Sequence, residues 1–260
     1  NLHISYAEFY ARCRRFASAL ALQGIGRGDT VSVMLANTPA MLEVHYAVPM
    51  CGGVLHSMNT RLDAKVIAFQ LDHAECRLLA TDTAFSATIT EALELSSEKP
   101  LVVDYQDPVF PQAGELLGSR DYESMIASGD PSYSWLMPHD EWDAISVNYT
   151  SGTTGDPKGV VYHHRGAYLM TMGTPVTWRM TLHPIFLTIV PLFHCNGWNH
   201  TWMMPMLGGT VVCCRDISAA AIYAAIADEG VTHFGGAPIV LNLLVNAKPE
   251  DRRDFDHTVE

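Results

Sequence analysis

The chain has 260 residues, of which 48% are hydrophobic and 17% charged. This balance excludes a disordered polypeptide and predicts an ordered globular core. The formal charge of −12 argues against a surface for nucleic acid or anionic lipid, so any phosphate site has to be local. Six cysteines without a C-x-x-C pair predict reduced thiols and a cytoplasmic location.

Strand and helix patterns alternate along the chain. Helical spacing of apolar residues predicts helices over 6–23, 39–52, 63–73, 84–95, 122–127, 198–206, 218–228 and 239–246. Apolar runs predict strands over 30–35, 54–58, 77–81, 101–104, 144–149, 186–190, 210–214 and 231–235. Asn37 or Thr38 is the predicted cap of the second helix. This alternation predicts an α/β fold of mainly parallel sheets flanked by helices.

Residues 180–214 contain no Asp, Glu, Lys or Arg and need separate consideration. A membrane span requires about 20 continuous apolar residues. Here prolines, histidines and asparagines interrupt the run, so the segment is predicted to be a buried strand, a polar loop and a buried helix. No signal peptide is expected, although the chain begins without methionine.

Residues 149–159, YTSGTTGDPKG, form the pattern with the most specific chemistry. Glycines let the backbone turn tightly and expose its N–H groups, while hydroxyls add donors that rotate to fit a ligand. Lys158 adds a mobile positive charge. The spacing differs from that of a Walker A loop. The segment predicts a local polyphosphate site, and the plainer alternative is a solvated turn rich in glycine and threonine.

This segment resembles the phosphate-binding signature of the adenylate-forming superfamily, which includes acyl-CoA synthetases, luciferases and the adenylation domains of peptide synthetases. Residues 159–168, 191–198 (PLFHCNGW) and 52–62 (GGVLHSMNTRL) extend the resemblance along the chain. It is nearest to the short- and medium-chain acid–CoA ligases, including plant acyl-activating enzymes and bacterial methylmercaptopropionate–CoA ligases. The resemblance implies that residues 1–260 are an incomplete large N-terminal domain, built of two interleaved α/β subdomains, without the C-terminal catalytic lid domain.

The resemblance also implies a reaction and its site. The expected activity is ATP-dependent conversion of a short-chain, medium-chain or fatty acid to an acyl-adenylate and then an acyl-CoA, with ATP, Mg²⁺ and coenzyme A as cofactors. Lys158 and His194 are the expected catalytic residues, the first at the pyrophosphate and the second at the acid's carboxylate. Gly197 and Trp198 are expected to shape the acyl pocket. The residues expected to bind the phosphates are Thr150, Ser151, Gly152, Thr153, Thr154, Gly155 and Lys158.

Several alternatives stay open at this point. The chain could be an amino-acid or aryl-acid adenylation domain, or a non-catalytic phosphate-binding fragment. His194 could be a core histidine and Trp198 a buried structural tryptophan. No metal ligand is predicted, and adjacent His163 and His164 are interpreted as structural. The isolated chain is expected not to complete adenylation, because the adenine, ribose, magnesium and C-terminal lysine sites of such enzymes would lie beyond Glu260. A homodimer is compatible with the resemblance, and the acid cannot be identified.

Overall fold

The computed structural model describes residues 2–110, 114–150 and 156–260, which form two compact units. The first unit comprises Asn1–Ala36 and Ala40–Ala167, and the second comprises Asn37–Pro39 and Tyr168–Glu260. Each unit contains a sheet with helices, so the predicted α/β class with mainly parallel sheets is confirmed.

The first unit is built on a seven-stranded sheet with the order β5-β4-β3-β1-β2-β6-β7. Neighbouring strands are parallel except for β6 and β7, which form an antiparallel pair at one edge. The central strands are almost fully buried, as continuous apolar runs in a parallel sheet require. The strands are β1 (Thr30–Met34), β2 (Val54–Ser57), β3 (Cys76–Asp82), β4 (Leu101–Tyr105), β5 (Arg120–Asp121), β6 (Ala144–Thr150) and β7 (Lys158–His163).

Side-chain caps fix where several helices of this unit begin. Ser5, Asp63 and Asp121 each accept a hydrogen bond from the backbone N–H three residues ahead, satisfying donors that the first turn leaves unpaired. The helices are α1 (Tyr6–Leu22), α2 (Pro39–Met50), α3 (Ala64–His73), α4 (Ser86–Leu95) and α5 (Tyr122–Ser128), with a 3-10 turn at Thr83–Phe85.

A buried carboxylate lies where α1, α2 and α5 meet. Glu43 is fully buried and accepts hydrogen bonds from Arg12 and from the Tyr122 hydroxyl, the latter at 2.9 Å. Burial raises the pKa of Glu43, and the Arg12 guanidinium opposes that rise. Arg12 also binds the exposed carboxylate of Glu123. One arginine therefore joins a buried acid to an exposed one.

Substituting Arg12 with alanine is expected to lower the free energy of unfolding by about 3–5 kcal/mol, because it leaves Glu43 buried without its counter-ion. The matched control is Glu123→Gln, which breaks the exposed pair of the same arginine and should change stability by less than about 1 kcal/mol. Chemical denaturation of both variants measures the difference. Equal effects of the two substitutions would contradict the assignment of the buried pair as the dominant one.

The second unit has a three-stranded parallel sheet with the order β10-β8-β9. Apolar side chains of the sheet and of the helices α9 and α10 form its core, including Leu187, Ile222 and Val231. The strands are β8 (Ile185–Thr188), β9 (Thr210–Cys213) and β10 (His233–Phe234). The helical elements are α6 (His164–Trp178), α7 (Cys195–Trp198), α8 (His200–Met206), α9 (Ala219–Glu229), α10 (Pro238–Val245) and a 3-10 turn at Pro249–Asp251.

The structure differs in some details from the sequence-based expectation. The strand predicted over 231–235 is only two residues long, β10. The helix predicted over 198–206 begins at His200, because Trp198 and Asn199 have positive φ angles that a right-handed helix does not allow. Of the two residues predicted to cap α2, Thr38 directly precedes its first residue, Pro39, while the amide of Asn37 binds a distant segment. No helix in the described ranges is long and apolar enough to cross a bilayer.

Candidate functional site

The described residues at the two ends of the predicted phosphate segment belong to β6 and β7. In the register of this pair Tyr149 is opposite Gly159, and Thr150 is opposite Lys158. A hydroxyl donor and a lysine thus begin and end the connection between the two strands, and both residues are exposed. The remaining predicted phosphate-binding residues, Ser151, Gly152, Thr153, Thr154 and Gly155, lie outside the described residues.

Tyr149 anchors the β6 side of this connection. Its hydroxyl lies 2.7 Å from Nδ1 of His73, and its ring packs against the imidazole of His56 with centroids 5.0 Å apart. Burial raises the pKa of Tyr149, so the phenol is neutral at pH 7. A Cβ at Gly159 would lie 3.2 Å from Val147 and 3.4 Å from the Tyr149 ring, which explains why glycine suits that position. Sequence reasoning gave Tyr149 and His73 no role.

The predicted acid-binding residues, His194, Gly197 and Trp198, lie in the second unit a few residues after the end of β8. His194 is exposed, and its backbone N–H donates to the carbonyl of Pro191 at 2.9 Å. Its own carbonyl accepts from Gly197 N–H at 3.0 Å. The exposed side chain does not fit the alternative of a core histidine. His194 is therefore available to a ligand.

The segment after His194 winds with the opposite hand to an ordinary helix. The φ angles of Cys195, Asn196, Gly197, Trp198 and Asn199 are 49°, 53°, 61°, 55° and 63°. A left-handed conformation costs roughly 1–2 kcal/mol for each residue other than glycine. A backbone held in such conformations by its surroundings is typical of functional sites. The element α7 is thus a strained left-handed turn that follows the candidate catalytic histidine.

Gly197 is required in this turn for two reasons. Its positive φ is one that glycine adopts freely. A Cβ at this position would also lie 2.7 Å from Cδ2 of Leu192, a distance that real Cβ atoms essentially never show. These contacts give Gly197 a backbone role in the turn, and its role in shaping an acyl pocket stays a prediction.

His200 supports the turn from inside the unit. It is buried, and its Nδ1 donates to the Gly197 carbonyl at 2.8 Å. Its ring stacks on Phe186, with centroids 4.3 Å apart and planes inclined by 15°. Burial lowers the pKa of His200, so the ring is neutral at pH 7. Sequence reasoning missed this residue, although a histidine within an apolar stretch was a visible signal.

Trp198 and Trp178 form an aromatic pair near the surface of the second unit. Their ring centroids lie 6.5 Å apart, and the two residues are 50% and 43% exposed. Trp198 is therefore not the buried structural tryptophan considered above. Two partly exposed indoles next to the strained turn offer an apolar surface for a small organic ligand.

The histidine pair has separate structural roles. His163 ends β7 and its Nδ1 accepts a hydrogen bond from Gly166 N–H at 2.9 Å, while His164 begins α6. Burial lowers the pKa of His164. Within the described part of the chain, no group of three His, Cys, Asp or Glu side chains could hold a metal ion. These contacts support the interpretation of the pair as structural.

Comparison with known proteins gives consistent matches. A family model described as AMP-binding enzyme matches residues 1–260. The chain is 44% identical to an acetate/butyrate–CoA ligase, AAE7, of Arabidopsis thaliana, over 98% of this chain and 47% of the relative. It is also 44% identical to the acetate–CoA ligase CCL3 of Humulus lupulus, over 96% of this chain and 46% of the relative. The chain thus spans about half the length of the curated relatives it matches.

Solved structures match nearly the whole of this chain as well. The fatty acyl CoA synthetase of Mycobacterium tuberculosis superposes with a TM-score of 0.82 at 24% identity, covering 96% of this chain and 47% of that one. The inhibitor-bound N-terminal domain of FACL13 from the same organism gives a TM-score of 0.82 at 25% identity, covering 96% and 60%. These matches support the fold described above.

The predicted cytoplasmic location is wrong on the evidence of these relatives. AAE7 and three more of the plant relatives are named as peroxisomal proteins. The prediction rested on cysteines without a disulfide pattern. Reduced thiols argue against an oxidising compartment, but they do not distinguish one reducing compartment from another.

Proposed function

Because this chain belongs to the AMP-binding enzyme family over residues 1–260, we propose that it carries the phosphate loop and part of the acid site of an AMP-forming acid–CoA ligase. The family match confirms the resemblance drawn from the motifs. The observation that carries the proposal is the strained turn at Cys195–Asn199, because it follows His194 directly in a motif of the acyl-CoA synthetase type. The CoA ligases among the relatives support the same assignment.

The proposed reaction has two steps. A carboxylate oxygen of the acid attacks the α-phosphorus of ATP, the bond from that phosphorus to the bridging oxygen breaks, and pyrophosphate leaves. The sulfur of coenzyme A then attacks the acyl carbon of the acyl-adenylate, the thiol loses its proton, and AMP leaves. The carboxylate is already ionised at pH 7, so the protein has to position reactants and stabilise charge and needs no base for the first step.

Thr150 and Lys158 fit the phosphate part of this reaction. A hydroxyl can donate to a phosphate oxygen, and a lysine ammonium can stabilise the charge that develops on leaving pyrophosphate. The chain carries a net charge of −12, so these local donors have to oppose its general field. We assign binding of the β- and γ-phosphates to the segment 150–155 with Lys158. Mg²⁺ would enter bound to the polyphosphate oxygens, the ligands that it prefers.

His194 fits the acid part of the reaction. An exposed imidazole can donate a hydrogen bond to the carboxylate and hold one of its oxygens for attack. The strained backbone after it limits the directions in which His194 and Trp198 can point. The Trp198–Trp178 pair would contact the apolar part of the acid. In this assignment His194 aligns the carboxylate of the acid, and the two tryptophans determine which apolar groups the acid can carry.

The names of the relatives support a proposal for the class of acid. Their names specify acetate, butyrate, 2-methylpropanoate and trans-cinnamate as acids that those proteins activate. We assign a short-chain carboxylic acid to this protein, with an aryl acid as the second choice. An amino acid is the rival substrate, since amino-acid adenylation domains share the phosphate loop.

A substrate panel tests this assignment. The full-length protein is supplied with ATP, Mg²⁺, coenzyme A and either acetate, butyrate, octanoate, cinnamate or one of several amino acids, and acyl-CoA is measured by chromatography. The expected result is thioester formation with acetate or butyrate and AMP as the second product. An amino acid that gives AMP but no thioester would identify an amino-acid adenylation domain. ADP in place of AMP would contradict the adenylate mechanism.

A further inference from the structure

The side chain of Asn37 is bound to a backbone segment 151 residues further along the chain. Its Nδ2 donates to the carbonyl oxygens of Thr188 and Val190, at 2.7 and 3.2 Å. Its Oδ1 accepts from Leu192 N–H at 2.9 Å. The side chain is buried, and all of these residues belong to the second unit. These contacts extend from the last residue of β8 to Leu192, two residues before His194.

These contacts match the chemistry of a carboxamide. The group has two N–H donors on one atom and an acceptor oxygen on the other, and both ends are used here. The opposite orientation of the amide would place its oxygen against two carbonyl oxygens. The hydrogen bonds therefore allow only one orientation of the Asn37 amide. The three backbone groups occur where the chain leaves the sheet, a position at which a strand ladder no longer fixes its path. Thr188 is still paired with Cys213 in the sheet, and Asn37 fixes the path of the chain from there to Leu192.

The fixed segment leads directly to the candidate catalytic residues. Leu192, held through its N–H by Asn37, packs against Gly197 closely enough to exclude a Cβ there. The carbonyl of the intervening Pro191 accepts the N–H of His194. A shift of residues 190–192 would thus move both the histidine and the left-handed turn.

We propose that Asn37 is a positioning residue that holds His194 and the left-handed turn in the geometry required for acid activation. The proposal rests on the proposed function for its catalytic consequence, but its structural part stands on the contacts above. Asn37 touches no reacting atom in this assignment. It acts through the backbone of the segment that carries His194.

Two variants of Asn37 separate its donors from its acceptor. Asn37→Ala removes all three bonds, and Asn37→Asp keeps the acceptor for Leu192 while losing both donors to the carbonyls. We expect either substitution to lower kcat for adenylation by roughly 10–100-fold, as displacement of a reacting group does. The KM for ATP should stay nearly unchanged, because an effect confined to the transition state lowers kcat alone. An unchanged kcat in both variants would overturn the proposal.

The matched control is Thr232→Val. The Thr232 hydroxyl accepts from Ile185 N–H at 2.9 Å and donates to the Ile185 carbonyl at 3.3 Å, at the opposite end of the same strand β8. This variant also removes side-chain bonds to the β8 backbone, but it leaves residues 188–192 untouched. It should keep kcat near the value of the unmodified protein. A loss of kcat equal to that of Asn37→Ala would show that general weakening of β8, and not positioning, is responsible.

A double-mutant cycle with His194→Ala identifies the residue through which Asn37 acts. If it acts through His194, Asn37→Ala should cost little further activity once the imidazole is absent. Losses that multiply would contradict the mechanism.

Amide hydrogen exchange supplies a readout that does not depend on catalysis. Asn37→Ala should accelerate exchange over residues 190–199, and Thr232→Val should not. Unchanged exchange there would overturn the structural part of the proposal. If Asn37→Ala accelerates this exchange and the unmodified protein has no acid-dependent activity, the proposed function is contradicted. The structural part of the proposal is then still supported.

Discussion

Replacing His194 or Lys158 with alanine is expected to slow acid-dependent adenylation by roughly 100–1000-fold, the loss seen when one group that stabilises transition-state charge is removed. His194 is exposed directly before a strained backbone turn, which makes its imidazole accessible to a carboxylate. Lys158 lies opposite Thr150, where the proposed phosphate loop rejoins the sheet. Steady-state kinetics of the full-length protein measure both losses.

Milder substitutions at the two positions test what each side chain supplies. Lys158→Ala is expected to lower kcat for pyrophosphate release, and Lys158→Arg should retain part of the rate because it keeps the charge without the compact ammonium. His194→Gln should retain more activity than His194→Ala if hydrogen bonding to the carboxylate matters most. The controls are Lys65→Ala and His3→Ala, which remove exposed side chains of the same types. Unchanged rates in both alanine variants would contradict the site assignment.

Acidification from pH 7 to pH 4 is expected to lower the free energy of unfolding by about 6 kcal/mol through two buried histidines. Burial lowers the pKa of His45 and of His56 to about 4. Nδ1 of His45 donates to the Met41 carbonyl at 2.6 Å, and Nδ1 of His56 lies 2.8 Å from the Ser32 hydroxyl. Both rings are therefore built into the core in the neutral form.

The direction of this pH effect on the free energy of unfolding follows from the number of protons that each state binds. In the unfolded chain an imidazole has a pKa of about 6.5, so between that value and about 4 the unfolded state binds more protons than the folded one. Stability is complete above the unfolded pKa and is lost as the pH falls, at about 1.4 kcal/mol per pH unit for each histidine.

Chemical denaturation at several pH values measures this slope. His56→Gln should reduce it by about half, because one of the two histidines is removed. His3→Gln, which changes an exposed histidine, should leave it unchanged. A free energy of unfolding that stays constant between pH 6.5 and 4 would contradict the assignment of both rings as neutral core residues.

The fold was largely predictable from the sequence because its signals are local. Apolar runs of four to seven residues alternate with helical spacing and with capping side chains such as Ser5 and Asp63, and each signal acts within a few residues. The phosphate segment was recognisable for the same reason, since its residues are contiguous. Its position at the end of β6 agrees with the strand predicted to precede it.

The candidate acid site was only partly predictable from the sequence, because it depends on contacts between distant residues and on a left-handed backbone conformation. The helical pattern after Trp198 gave no sign that residues 195–199 turn left-handed, since Gly197 is the only glycine among them. Asn37 looked like a helix cap because Asn is common at that position, and only tertiary structure shows its amide at residues 188–192. Local propensity cannot identify either feature.

Acid-dependent exchange of labelled pyrophosphate into ATP is the most direct test of the central claim, because it reports reversible acyl-adenylate formation without requiring coenzyme A. The measurement uses the full-length protein with Mg²⁺ and either acetate, butyrate or no acid. The account predicts exchange that depends on the acid and that falls in Lys158→Ala and His194→Ala. A folded protein that gives no exchange with any carboxylic acid would contradict the account and favour a non-catalytic phosphate-binding protein.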